Sequence, residues 1–225
     1  MSIDAETGTG LQRLDNLPPL RHRVQEQLET LIAQGRLRPG ARLIDGDLAR
    51  TLGTSRGPIR EALQLLARDG FIDLIPRRGT FVHTPTDREV DEFFDVRRAL
   101  EGEAGRLAAI RVTGDSARKL LDSLALSKEL VDHGADPLDQ PGGLSLHEQI
   151  TEVAGNAMLS QIHFNLYKRS VWYRSPFEPA RRQQTWAEHE AIVRAIVAGD
   201  AQAASDRIVM HIEGAREHCK ALRSS

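Results

Sequence analysis

Arg56 and Arg60 stand four apart in TSRGPIREALQLLARDG (54–70), and His189 and His211 flank an AGD break at 198–200. Arginines at i and i+4 share one helix face. A guanidinium there can grip guanine O6 and N7 with both arms or fork onto a phosphate. Imidazoles are common ligands of divalent metals. His189 lies ten residues before Gly199 and His211 eleven after Asp200. At about 1.5 Å rise per residue each is about 15–16 Å from the turn, so an antiparallel helix pair carries both at one level. The plainer readings are a solvated helix for the arginines and structural or exposed side chains for the histidines.

The elements around the arginines decide between these readings. Ser55 is a good N-cap for the helix that opens here and ends by Gly70, its hydroxyl offered to the orphan amides of the first turn. Pro58 falls within that turn, where a missing N–H costs little. At 100° per residue Ile59, Ala62, Leu63 and Leu66 gather on one side, while Arg56, Arg60 and Gln64 form a second stripe. Gly57 presents no side chain, so the backbone there can approach a phosphate or groove wall. Upstream, Leu20, Val24, Leu28, Leu31 and Ile32 make a helical stripe ended by Gly35. RLRPGARL reads as a turn, and a short helix follows with Asp45 as cap, Leu48 and Leu52 inward and Gly53 at its end. Downstream, FIDLIP and TFV separated by RRG read as a β-hairpin with Arg77 and Arg78 at its tip, in reach of a groove or backbone. Helix, helix, tight turn, helix and hairpin is the order of a winged helix-turn-helix, whose second helix enters the major groove.

Residues 1–17 are polar and aperiodic and read as a disordered tail. The winged unit covers 18–83, TPTD of the HTPTD run (83–87) supplies a linker at 84–87, and 88–225 reads as an all-helical bundle. About six helices are expected there, near 87–111, 114–133, 144–154, 157–175, 181–199 and 201–222, separated by VTGD, DPLDQPGG, AGN, SPFEP and AGD. The fold class is mainly α with one small β wing.

Composition narrows the function classes. The net charge of −2 rules out a polycation, yet residues 1–83 hold 12 Arg, no Lys and 10 acidic residues. Six of those arginines, Arg50 and Arg56 among them, lie within 50–80 against three acids, a modest basic patch. The single cysteine, Cys219, excludes an intrachain disulfide and a Cys-cluster metal site. No basic n-region with an apolar stretch opens the chain, and no run approaches 18 apolar residues. A cytoplasmic protein is expected, with no membrane partner.

The run GRLRPGARL…LARTLGTSRGPIREALQLLARDGFI…RRGTFV resembles the N-terminal domain of GntR-family transcription regulators. By that resemblance Arg56 and Arg60 are the DNA-contacting arginines and Ser55 meets a phosphate. Gly46 departs from the pattern, standing where some members of the fatty-acid-responsive branch carry a DNA-contacting arginine. That contact is then absent or made by Arg50. The segment RRALEGEAGRLAA…LHEQITEVAGN…HEAIVRAIVAGD…MHI is similar to the all-helical FCD ligand-binding domain. In that family an Asp four residues before a His, with two later His, commonly binds a divalent metal. The matching residues are His147, His189 and His211, while Gly143 takes the Asp position and Leu146 replaces the usual Phe. Three imidazoles with an open position suit Zn²⁺ or a similar ion, and Asp139 in the preceding loop is a conceivable substitute ligand. Arg97 and Glu101 match the family's R-x-x-L-E, implying an effector-carboxylate clamp. The plainer reading is a surface i,i+4 pair worth a few tenths of a kcal/mol. Trp186, three residues before His189, is placed to report effector binding by fluorescence; His163, Trp172 and Tyr173 receive no role.

These readings describe a homodimeric, non-enzymatic transcription regulator, a repressor, binding double-stranded operator DNA. A small anionic metabolite, a carboxylate, bound at His147, His189, His211 and Arg97 controls it. The alternative is a DNA-binding regulator with a metal-free or decayed sensor site, kept open by Gly143. A remote one is a metal-dependent hydrolase, since a His₃ site can activate water, although no Asp or Glu is placed by motif as its base.

Overall fold

The computed structural model describes residues 18–134, 145–173 and 179–223. They form two compact units, one ending at His83 and one taken over from Thr84, with the segment 32–39 belonging to the second. The expected tail at 1–17 lies outside the described residues, as do Asp139 and Gly143. No helix among the described residues is long and apolar enough to cross a membrane.

The first unit contains α1 (Leu20–Ala33) as far as Leu31, β1 (Arg42–Leu43), α2 (Asp45–Thr51), α3 (Arg56–Arg68), β2 (Ile72–Ile75) and β3 (Gly79–Val82). Its sheet has three strands rather than a bare hairpin. The order is β1-β3-β2, all antiparallel, with Arg42 opposite Phe81 and Asp73 opposite Phe81 on the other side. The stretch read as a turn thus ends in an edge strand, too short for any alternation to show in the sequence. Ile59, Ala62, Leu63 and Leu66 of α3 are buried with Val24 and Leu28 of α1 and with Phe71 and Val82. Burying each large aliphatic stabilises by roughly 1.5–3 kcal/mol, so the apolar stripe fixes which face of α3 remains outside. Beneath it Gln25 donates to Glu29 at 2.8 Å and to Asp69 at 2.9 Å, tying α1 to the end of α3.

The second unit contains α4 (Asp87–Arg111), α5 (Gly114–Asp132), α6 (Leu146–Ala154), α7 (Ala157–Tyr173), α8 (Pro179–Val197) and α9 (Ala201–Arg223). Three starts are capping boxes, Thr86 with Glu89, Thr113 with Ser116 and Ser145 with Glu148. Each satisfies two otherwise orphaned donors. Long α4 packs most closely on α9. A Cβ added at Gly105 would stand 2.3 Å from Ile208 Cδ1 and 3.2 Å from the Ala204 carbonyl oxygen, and one at Gly102 would be 3.1 Å from Val209. The spacing GEAG therefore sets how near the two backbones come. Val90, Phe93, Phe94, Ala108, Leu120, Ile150, Ile192, Ile196, Ile208 and Ile212 fill one continuous core.

Candidate DNA-reading face and histidine centre

Helix α3 starts at Arg56 with Ser55 in the N-cap position, extended at φ −83° and ψ 166°, but the Ser55 hydroxyl makes no capping hydrogen bond. That differs from the capping role expected of it. Likewise Ile44, not Asp45, is the N-cap of α2, and Asp45 is its first residue. Asp45 is turned to another use: its Oδ2 accepts from Arg60 Nε at 2.8 Å. The Arg56 guanidinium lies over Gly46, 3.4 Å from where a Cβ would be. A Cβ there would be in ordinary van der Waals contact with the guanidinium, so the place of Arg56 does not depend on the glycine. Arg50 pairs with Asp47 at 3.1 Å on the same short helix. These are exposed pairs, about two-thirds open to solvent at Arg60, and are worth no more than about 1 kcal/mol each. A phosphate or a guanine edge can displace such a carboxylate.

At the wing, Arg77 turns the chain with φ +62°, a left-handed value rare outside glycine, and Arg77 and Arg78 are both exposed. Arg42 on β1 joins them. Its Nε lies 3.3 Å from the position of an added Gly79 Cβ, so the glycine admits the guanidinium. Nothing in the sequence singles out Arg42, because its place beside the wing depends on the β1–β3 pairing.

In the second unit α6, α8 and α9 bring His147, His189 and His211 together. One ligand atom from each lies within 4.8 Å of the others. His189 Nε2 and His211 Nε2 are 3.3 Å apart, and the ring centroid of His147 lies 5.2 Å from that of His189 and 5.1 Å from that of His211. Two carboxylates stand behind this cluster. Glu101 Oε2 is 2.6 Å from His147 Nδ1, and Glu188 Oε2 is 2.7 Å from His211 Nδ1. An acceptor on Nδ1 holds the proton there and leaves Nε2 with its lone pair toward the cluster, the outer-sphere support found at histidine–metal sites. Burial pushes His147 down to about 4, against the pull of Glu101, so its imidazole is neutral at pH 7. For Glu101 burial alone would raise the pKa. Arg97, His147 and His163 outweigh it and hold the carboxyl well below the usual range. The donor set fits a divalent ion with nitrogen ligands.

Arg97 is neither exposed nor open. It is 9% exposed, and its Nε and Nη2 donate to Glu101 at 2.6 and 3.3 Å, with the Phe93 and Phe94 ring centroids 5.7 and 5.8 Å from the guanidinium carbon. The fork implied for an effector carboxylate is occupied by Glu101, and the plain i,i+4 pair is buried rather than on the surface. His163, without a role in the sequence, is 2% exposed with Nε2 3.6 Å from Glu101 Oε1. Glu188 and Arg181 carried no sequence signal either. Glu188 directly precedes His189, and Arg181 Nη1 reaches its Oε1 at 3.0 Å. Trp186 donates Nε1 to the Leu124 carbonyl at 3.3 Å, with Lys128 Nζ 5.2 Å from its ring centroid.

Comparison with known proteins accounts for both units. The model for bacterial regulatory proteins of the gntR family matches residues 20–82, and the model for the FCD domain matches residues 92–214. HTH-type transcriptional regulator YdhC of Bacillus subtilis is 26% identical over 215 residues, 92% of this chain and 94% of that protein. A Paenarthrobacter nicotinovorans protein named "Probable D-xylose utilization operon transcriptional repressor" is 30% identical over 187 residues, 80% of each chain. Among solved structures, E. coli McbR/YncC superposes with a TM-score of 0.76 at 21% identity, over 92% of this chain and all of that one, a likeness of fold. A GntR regulator structure from Rhodococcus sp. RHA1 gives 0.74 at 25% identity, over 89% and 97%. The Bacillus, Paenarthrobacter and Rhodococcus proteins of these comparisons are named as transcriptional regulators. With a matching helix-turn-helix and a matching FCD domain that together span most of its length, the chain belongs to the GntR family of bacterial transcriptional regulators.

Proposed function

We propose that this regulator is a dimeric repressor whose hold on operator DNA is set by a small organic acid bound in the helical domain, at a divalent ion held by His147, His189 and His211. The observation that carries the sensing half is the cluster of three imidazole nitrogens within 4.8 Å, two of the rings backed by carboxylates. Such an ion, when bound, supplies open coordination positions for effector oxygens. The protein's own part is to orient the rings. Glu101 and Glu188 hold Nδ1 of His147 and His211, and Arg97 keeps Glu101 ionised and in place.

Operator reading falls to the open end of α3. Arg56 and Arg60 face the groove, Ser55 and the amides beside Gly57 meet a phosphate, and Arg50, Arg77 and Arg78 add backbone contacts. The repressor sign is supported by the D-xylose operon repressor among the relatives. Two reading heads in a dimer match a pseudo-palindromic site, and an effector regulates by biasing the conformations that can span it.

Metal analysis of the purified protein, with mobility shifts on its own promoter fragment and a panel of organic acids, tests this. About one ion per chain, lost in His189→Ala, and release of the fragment by at least one acid are expected. No metal, and no acid that alters DNA binding, would overturn the sensing half and leave a regulator with a decayed site.

A further inference from the structure

Among the described residues of the helical domain two arginines are buried, and their guanidinium edges meet different things. Arg97 presents Nε and Nη2, the edge that takes a carboxylate side-on, to Glu101. Arg181, on α8 and 8% exposed, gives Nη1 to Glu188 Oε1 at 3.0 Å, while its Nε and Nη2 are buried without a hydrogen-bond partner. One turn along, Thr185 is 7% exposed and its Oγ1 is also buried without a partner. Buried polar atoms are paired in the great majority of cases, and unmet donors on a charged group carry a full desolvation penalty. Here three such atoms occupy one helix face, since residues 181, 185, 188 and 189 recur at the spacing that aligns side chains. Gly214 on α9 makes space for the group, because an added Cβ would stand 3.3 Å from Arg181 Nη2.

We propose that the free Nε/Nη2 edge of Arg181 and the Thr185 hydroxyl grip a carboxylate of the effector, held behind the histidine cluster through Glu188. The proposal rests on the reading of this domain as an organic-acid sensor and names the residues that recognise the acid. Two parallel N–H donors match the two oxygens of one carboxylate, and the hydroxyl one turn away adds a third donor. Glu188 links Arg181 to the cluster. Its Oε1 accepts from Arg181 and its Oε2 lies 2.7 Å from His211 Nδ1, so one carboxylate separates the guanidinium from the imidazole pair. Glu188 thus stands between the Arg181 edge and the ring nitrogens that face the cluster, so the edge takes a carboxylate on its own.

The test uses the full-length protein, metal-loaded and chelator-treated, titrated calorimetrically with acetate, succinate, citrate and inorganic phosphate. Thr185→Val is nearly isosteric and removes the unpaired hydroxyl. It should raise the melting temperature of the free protein and weaken the best carboxylate at least 5-fold. Arg181→Lys keeps the charge but loses the two-donor edge, and should weaken it at least 30-fold with metal content unchanged. Equal affinity in both variants, with binding abolished by His189→Ala, overturns the proposal while the sensor reading stands. Phosphate binding that depends on Arg181 and exceeds that of every carboxylate overturns the assignment of ligand class. A lower melting temperature in Thr185→Val with unchanged affinity assigns Thr185 to structure alone and overturns its role. If no carboxylate binds the wild type, the sensor reading falls and this proposal with it.

Discussion

The arginines of α3 and the charged side chains around the histidines are both clusters of ions, yet they are held in opposite ways. Arg60 is mostly solvent-exposed and paired with one carboxylate, Asp45. Glu101 is 3% exposed and is met by Arg97, His147 and His163 together. Water screens the first pair, so breaking it costs little and a DNA phosphate can replace Asp45. No solvent takes over in the second, so each ion there depends on its protein partners. A surface that must exchange partners is built from weak pairs, and a site that must hold its geometry is built from buried ones.

The contrast is most exposed to test at Glu101. Glu101→Ala leaves Arg97 buried without its counter-ion and should cost about 3–5 kcal/mol in urea unfolding of metal-free protein. A loss below about 1 kcal/mol would place the pair with the surface ones.

Acid should act on the same cluster. His147 stays neutral in the folded chain until about pH 4, whereas in the unfolded chain it takes up a proton near its ordinary value of 6.5. The unfolded state thus binds more protons between those limits, and stability falls as pH is lowered from about 6.5 to 4. Each tenfold difference in proton affinity between the two states is worth about 1.4 kcal/mol, so the loss is up to roughly 3 kcal/mol. Glu101, held low, acts in the same direction below that window. Unfolding of chelator-treated protein across this range should show the slope, and His147→Gln should flatten it. An equal slope in the variant would assign the acid sensitivity elsewhere.

On the exposed side, Arg60→Ala should lower specific operator affinity by roughly 1–3 kcal/mol and relax discrimination at one base position, with folding stability nearly unchanged. Uniform weakening on all sequences would make Arg60 a phosphate contact instead. The smallest effect belongs to Asp45→Ala. Stability should change by less than about 1 kcal/mol, and operator affinity should rise slightly because Arg60 no longer leaves a partner. A drop in affinity would mean that Asp45 positions the arginine rather than competing for it.

Much of this was legible along the chain. The 3.6-residue stripes placed the helices of both units within a few residues, since apolar periodicity reports which face will be buried. Equal distances from the AGD turn put His189 and His211 at one level, and their Nε2 atoms are 3.3 Å apart. Strand β1 was not legible, because two residues are too few for an alternating pattern. The capping role of Asp45 failed for a related reason: a side chain that suits a cap takes another partner when tertiary structure offers one, as Arg60 does here.

The sequence by itself determined the two-part order, the apolar stripe that leaves Arg56 and Arg60 outward, and the histidines available as ligands. Local spacing suffices for these, because a helix fixes which side chains share a face. Only the tertiary structure decided that Arg97 spends its fork on Glu101, that Glu188 and Glu101 stand behind His211 and His147, and that Arg181 and Thr185 are buried with donors unmet. Burial and partnership across helices depend on how close α4, α6, α8 and α9 pack. Residues like Gly105 set that distance, and no local pattern reports it.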